Sequence, residues 1–435
     1  RLLLTVDTGV TATEEISRAT ELGLDVVVTD HHLAEGELPP AQAVINPNVG
    51  SEIYAHGRLC GAGVAFKFAH ALLKDSGRPQ SECIEFLKGL LDIVALGTIA
   101  DIVPLTGENR VLARFGLDVL TNSERPGLRA LLEETKLEGK PITSEHVGFL
   151  LGPRLNAAGR TDHANIALDL LLSGDIDEAR AIARQLSDLN RERRSTENGI
   201  LKDSLDQAES QMESGEEHFL VVGGPEYHLG VVGIVAARLV EKFHRPSIVL
   251  RVDPELAKGS ARSIPGFDLH NALGACDSHL IGFGGHAAAA GVRLEPAAVD
   301  PFRTAINDLA RELFEERDMS PEIAVDAEVS GDEIDWNFYR HLQNLQPFGC
   351  DNANPVFLLS GATPAAAPRI VGRDHLQLSL RAGNQFFRCI GFGLGSRLPL
   401  CDTSSPIDVL FRPVENHFRG RTTLELQLVD VRPAQ

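Results

Sequence analysis

The sequence is short of the features that mark secreted, zinc-bound or membrane-embedded proteins. Its six cysteines, Cys60, Cys83, Cys276, Cys350, Cys389 and Cys401, lie far apart and form no C-x-x-C pair. Neither a disulfide framework nor a thiolate zinc site is therefore expected, and a reducing cytoplasm is the default. No apolar run approaches the roughly 20 residues of a membrane span, and no signal peptide opens the chain. Aromatic residues make up only 5% of the chain, so any base stacking must rest on a few rings. Positive charge is scarce too: 41 Lys and Arg against 61 Asp and Glu leave a net charge of −20. That argues against a protein that merely coats nucleic acid. A carboxylate-rich metal site is one way round the difficulty, because cations bridge acid to phosphate.

What is present describes a globular protein. The 435 residues are 43% hydrophobic and 23% charged, enough for two or three domains with real cores. A strand-like run starts at once at Arg1 rather than after a Met, so we expect a fragment whose beginning is missing. Charge is uneven: residues 369–435 hold nine Arg, no Lys and six Asp/Glu, making this the segment best suited to a polyanion.

Arg1 to Val6 reads as a buried strand, Thr11 to Leu22 as a helix and Asp25 to Thr29 as a second strand, a βαβ unit with parallel strands. Ligands of such sheets bind beyond the carboxyl ends of the strands, where Asp7 and Asp30-His31-His32 fall. A helix follows the loop at residues 57–63, and another runs from about Ser81 to Leu96, ending near Asp101. Helical signals continue past Pro104 and are interrupted at Gly152 to Arg160. Asp175 to Met212 has no Pro and only Gly199, so a single connecting helix is expected. A second α/β region has strands at Phe219 to Val222 and Ser247 to Val252 around a helix from Gly230 to Phe243. Short strands after about Arg317 suggest a β-barrel of the oligonucleotide-binding type. The expected domains are 1–172, a connector 173–214, 215–318 and 319–435.

Beyond a strand end, Asp30-His31-His32 can present carboxylate and imidazole to Mn²⁺ or a similar ion. Taken alone, the tripeptide is balanced between a metal and a non-metal reading. Asp7 at the neighbouring strand end tips it toward metal, while Asp101 by itself reads more simply as a solvated acid in a helix C-terminal turn. Gly284-Gly285-His286 before small residues allows an anion to approach the backbone; a glycine turn before an Ala-rich helix is the plainer alternative. Ser260, Arg262 and Ser263 form a polar hook after a strand. His286 suits phosphate contact or a satisfied core position equally. Arg180, Arg184, Arg191, Arg193 and Arg194 in the connector line either a DNA path or, more commonly, a solvated helix face. Phe386, Phe387, Arg388, Phe418, Arg419 and Arg421 mix rings with guanidinium groups, but alternation puts some of these Phe in a core; only Arg419 and Arg421 are assigned to DNA.

These strings carry a family resemblance. Val6-Asp7-Thr8-Gly9, Asp30-His31-His32 and Gly97 to Leu105 resemble motifs of the DHH phosphoesterases. GPRLNAAGR at Gly152 to Arg160 resembles the RecJ branch, and KGSARS at Lys258 to Ser263 with GGHAAAAG at Gly284 to Gly291 resembles the DHHA1 domain. The resemblance covers nearly the whole chain and implies a parallel-sheet DHH domain, a long helix, a smaller α/β DHHA1 domain and a C-terminal barrel. It implies single-strand-specific 5′-to-3′ exonuclease chemistry with two Mn²⁺ or Mg²⁺ ions, in recombination and repair. Asp7 would bridge the ions, His31 and Asp101 would bind one of them, and His32 would orient ligands or contact the scissile phosphate. Arg154, Asn156 and Arg160 would hold substrate phosphate, or else close a structural loop. Ser260, Arg262, Ser263, Gly284, Gly285 and His286 would hold a further phosphate.

The family also places an Asp-x-Asp strand ahead of the first motif seen here, and without those carboxylates this chain is expected to have little activity by itself. A single-stranded DNA substrate, helicase and single-strand-binding partners, no membrane and a monomeric state complete the expectation. Two rival readings stand beside it: a DHH-type phosphodiesterase for short oligonucleotides or cyclic dinucleotides, and a non-catalytic single-strand DNA-binding scaffold.

Overall fold

The computed structural model describes residues 1–34, 36–49, 54, 58–161, 164–215, 218–316, 320–401 and 405–434, with the side chains of 160, 161 and 316 excepted. It divides into two compact units: Arg1–Ser123 with Gly139–Gly148 and Ile323–Gln435, and Glu124–Glu138 with Phe149–Glu322.

The first unit opens with β1 (Leu2–Val6), α1 (Thr13–Glu21), β2 (Asp25–Thr29) and β3 (Ala43–Ile45). The three strands are parallel in the order β1-β2-β3, as a βαβ crossover requires. Ile16 and Ala19 of α1 pack on Val26 and Val28 of β2. β1 departs from the expected buried strand. Leu2, Leu3, Leu4 and Val6 are all exposed, because among the described residues β1 pairs only with β2.

Helices α2 (Gly61–Asp75), α3 (Gln80–Lys88), α4 (Leu91–Ala100) and α5 (Gly107–Thr121) follow. The expected single helix over 81–96 is thus two, parted at Gly89-Leu90. Within the second unit come α6 (Pro126–Glu134), α8 (Gly152–Thr161), α9 (Asn165–Leu172) and α10 (Ile176–Ser214); the short α7 (Ser144–His146) belongs to the first. The interruption expected at 152–160 is helix instead. A π-turn over Val147–Leu151 runs directly into it, with Pro153 at the helix's second residue.

The connector is one helix of 39 residues, N-capped by Asp175, which accepts from the amides of Asp177 and Glu178. Three of its five arginines are engaged within the fold, while Arg184 and Arg194 are exposed. Arg180 bridges to Glu133 and Asp177, Arg191 to Asp188, and Arg193 is buried against Glu197 and Asn190.

The second unit continues with β4 (Leu220–Gly224), α11 (Leu229–Phe243), β5 (Ser247–Val252), β6 (Ala257–Arg262), α12 (Leu269–Ala275), β7 (Gly282–His286), β8 (Ala289–Leu294) and α13 (Val299–Glu316). The strand order is β4-β5-β6-β8-β7. The Ala-rich run after Gly285 is therefore strand, not helix. Alternate residues of β8 (Ala290, Val292, Leu294) enter the core, the period-2 pattern of a half-buried strand.

The first unit ends with β9 (Ala327–Glu328), α14 (Trp336–Gln343), β10 (Phe357–Pro364), β11 (Arg369–Val371), β12 (His375–Ala382), β13 (Gln385–Gly391), β14 (Ile407–Phe418) and β15 (Arg421–Pro433). β10 pairs with both β14 and β12, so β12-β13-β15-β14-β10 closes on itself. The enclosed core includes Leu378, Phe387, Cys389, Val409, Phe411 and Leu426. The expected barrel is present, and Phe387 is core while Phe386 and Phe418 are exposed.

Candidate functional site

Val6 and Thr29 are register partners at the ends of β1 and β2, so Asp7 and Asp30 leave the same sheet edge side by side. The Asp7 amide donates to Thr29 O at 2.9 Å. Asp7 itself turns into the left-handed region at φ 60, which Asp tolerates better than most residues. Its carboxylate lies against Gly61 at the start of α2, so close that a Cβ at Gly61 would overlap it. Asp101 is the C-cap of α4, and Ile102 behind it takes φ 57.

These elements converge on the imidazole of His31. Its Nε2 lies 3.1 Å from Asp7 Oδ1 and 3.5 Å from Asp101 Oδ2. Asp7, His31 and His32 also offer ligand atoms within 4.8 Å of one another. The structure thus brings together all four residues expected at the centre.

Asp30 organises them. It is 1% exposed and accepts from the amides of Val10 (3.0 Å), His31 (2.8 Å) and His32 (3.2 Å) and from His32 Nδ1 (2.7 Å). Burial works against its ionisation, but the Val10 amide, the His32 ring and the His32 and His31 amides together hold its carboxyl below the usual range. The bond to Asp30 raises the His32 pKa against the effect of burial, helped by the charges of Asp30, Asp7 and Asp101. With Nδ1 engaged by Asp30, Nε2 is the second polar atom of the His32 ring, and it is an N–H donor when the ring is protonated.

Asn46 donates to His32 O at 2.9 Å and Asn48 donates to His31 O, fixing the loop backbone. Neither Asn was anticipated. The Asn-Pro-Asn run after the short β3 is their only trace in the sequence, and it reads as an ordinary turn.

The donor set fits a hard divalent cation. Burial, then the like charge of Asp7, raises the Asp101 carboxyl above its usual range, against the pull of His31 and His32. A cation between these carboxylates would reverse that repulsion. Oxygen and imidazole nitrogen without sulfur suit Mn²⁺ or Mg²⁺. The nearby Cys60 is buried, its thiol raised by burial and engaged with the Gly63 amide and Thr98.

The residues expected at phosphate divide differently. In the second unit, the Arg154 guanidinium donates to Ser187 Oγ (3.0 Å) and Leu150 O (2.7 Å), and burial, then Arg194, lowers its pKa. Asn156 is exposed on α8, and the side chain of Arg160 lies outside the described residues. Ser260, Gly291 and Gly284 are register partners across β6, β8 and β7, as are Arg262, Ala289 and His286. Arg262 Nη1 donates to Ser260 Oγ at 3.0 Å. The Ser263 hydroxyl donates to Phe267 O at 2.7 Å, and Gly285 packs tightly on Ala289 and Ala290, so both serve the fold directly. In the first unit, Arg419 and Gly420, both at positive φ, turn the β14-β15 hairpin beside Arg421. Arg419 lies 5.2 Å from the ring centre of Phe418.

Family models follow the same architecture. The DHH family N-terminal domain matches residues 1–98, the DHHA1 domain residues 216–312 and the RecJ OB domain residues 325–430. Sheet, second α/β region and closed barrel thus define a protein of the DHH class. The chain belongs to the RecJ family. It is 38% identical to the single-stranded-DNA-specific exonuclease RecJ of Bacillus subtilis over 99% of its own length and 53% of that protein's. It is 35% identical to the Salmonella typhimurium RecJ, covering 100% of this chain and 77% of that one. The crystal structure of Thermus thermophilus RecJ in complex with Mn²⁺ superposes with a TM-score of 0.84 at 32% identity, over 100% of this chain and 62% of that one. The chain therefore spans about half to three quarters of these relatives.

Proposed function

We propose that this chain belongs to a metal-dependent exonuclease that hydrolyses the phosphodiester backbone of single-stranded DNA from the 5′ end, in recombination and repair. The observation that carries the reading is the convergence of Asp7, His31 and Asp101 at the carboxyl edge of a parallel sheet. The relatives named above, single-strand-specific exonucleases with a Mn²⁺-bound member, support this choice of substrate and ion.

Asp7 and Asp101 would hold Mn²⁺ or Mg²⁺ through oxygen and His31 through Nε2. Bound there, the cations polarise the phosphate and lower the pKa of a water. His32, fixed by Asp30, presents Nε2 toward the substrate phosphate. Arg154, Asn156 and Arg160, with Ser260, Arg262, Gly284 and His286, bind the DNA backbone; the barrel adds Arg419 and Arg421. Ser263 and Gly285 belong to the same phosphate-binding set.

Six free cysteines suit a reducing cytoplasm. Among the described residues no helix is long and apolar enough to cross a membrane. We assign a monomer that works beside a helicase and a single-strand-binding protein.

The test is Mn²⁺-dependent hydrolysis of a long 5′-labelled single strand, a duplex and a dinucleotide by the full-length protein. Preferred degradation of the single strand is expected. Preference for the dinucleotide would favour the short-oligonucleotide phosphodiesterase, and tight DNA binding without hydrolysis the scaffold.

A further inference from the structure

The geometry points to a second backbone-phosphate subsite on the sheet of the second unit, formed by Lys258 and Arg293 over a glycine floor. It rests on the proposed reading of single-stranded DNA as substrate. In β6, β8 and β7 the residues of one face form three cross-strand rows. Arg262, Ala289 and His286 make the first, Ser260, Gly291 and Gly284 the second, and Lys258, Arg293 and Gly282 the third. The first two rows hold residues already assigned to phosphate. The third has not been assigned a ligand.

Its composition conflicts with sheet stability. Lys258 and Arg293 are direct register partners on adjacent strands, where like charges repel. On the other side of Lys258 its β5 partner is Arg251, a third cation in the same row. Arg251 is neutralised by Asp253 at 2.8 Å. Lys258 and Arg293 are exposed and make no ion pair among the described residues. In a chain of net charge −20, with acids in excess, two adjacent uncompensated cations are a local conflict that an anion would relieve.

The surface between them is open. A cavity of about 350 Å³ is lined by Lys258, Arg293, Gly282, Gly284 and Gly291. A Cβ added at Gly284 would meet nothing within 4 Å, and one at Gly291 only carbonyl oxygens at 3.9 and 4.0 Å. A Cβ at Gly282 would lie 3.2 Å from Arg293 Nη2, so the guanidinium reaches across that glycine toward the cavity. Successive rows are about 6.7 Å apart along the strands, comparable to one backbone repeat of an extended single strand. The third row therefore takes the phosphate next to the one held by Ser260 and Arg262. Arg293 gives the fork and Lys258 the point charge.

The test is binding of a 3′-fluorescein-labelled dT12 in EDTA, titrated from 0.1 to 1 M salt, for wild type, Lys258→Ala, Arg293→Ala, the double variant and Lys202→Ala. Lys202 is an exposed cation elsewhere in the same unit. Each lost contact should lower the salt slope by about 0.7, so the double variant should bind about 25-fold more weakly at 0.1 M and nearly as wild type at 1 M. Lys202→Ala should match wild type. A double variant with wild-type affinity and slope, or a Lys202→Ala loss as large as that of Lys258→Ala, overturns the subsite while leaving the exonuclease reading intact. A wild-type protein that binds no dT12 overturns both.

Discussion

Asp30 supplies no atom to the Asp7–His31–Asp101 cluster, yet it decides where both imidazoles sit. One of its oxygens takes three bonds from the His31-His32 segment, and the other ties the Val10 amide to the same edge. Replacing Asp30 with Asn keeps the shape but removes the charge that orients His32. Asp30 also holds the His31 amide, and loss of such an outer partner of a ligand weakens metal binding by about 10–100-fold. Mn²⁺ titration followed by electron paramagnetic resonance should show that drop for Asp30→Asn, with the circular dichroism spectrum retained; unchanged affinity would deny Asp30 its positioning role.

Asp7 and His31 were legible in the sequence because the hydrophobic runs before them end at neighbouring strand ends, whereas Asp101 read by itself as a solvated helix-end acid and entered the site only through the family resemblance. The work of Asp30, Asn46 and Asn48 was not legible. It depends on the burial of one carboxylate and on a short third strand, neither of which a local pattern reveals.

The long helix shows both sides of this at the scale of an element. Its extent could be read from 39 residues with no Pro and a single Gly, since nothing interrupts the backbone hydrogen bonds. Its charges could not. A run rich in Arg and Glu reads as solvated, but Arg193 and Glu197 are 7% and 8% exposed and paired at 2.8 Å. Helices of the same unit cover that face. Glu197→Ala breaks this buried ion pair and should lower the unfolding free energy by about 3–5 kcal/mol. Urea denaturation followed by far-UV circular dichroism measures this, and a loss within ordinary surface variation would contradict the burial argument.

The β8 strand teaches the converse. Its alanines and glycines suggest helix or turn by type, and strand only through the alternation that fills the core with Ala290, Val292 and Leu294. Pairing with β6 and β7 decides between them.

For the whole molecule, order of modules was easier to read than surface charge. Parallel sheet, long helix, second α/β region and closed barrel follow from where hydrophobic period and turn residues change. The net charge of −20 is misleading as an average, because Asp7 and Asp101 face one imidazole while Lys258, Arg262 and Arg293 share one face of a sheet. An acidic protein will also collect divalent ions weakly over its surface, so specific binding has to be separated by substitution.

The most direct measurement of the central claim is therefore calorimetric titration of Mn²⁺ into the 435-residue chain and its Asp7→Ala, His31→Ala and Asp101→Ala variants. Each substitution should weaken the tightest Mn²⁺ site at least tenfold and leave the weak background binding in place. Three variants that bind Mn²⁺ as wild type does would show that these side chains hold no metal, and the proposed chemistry would fall with them.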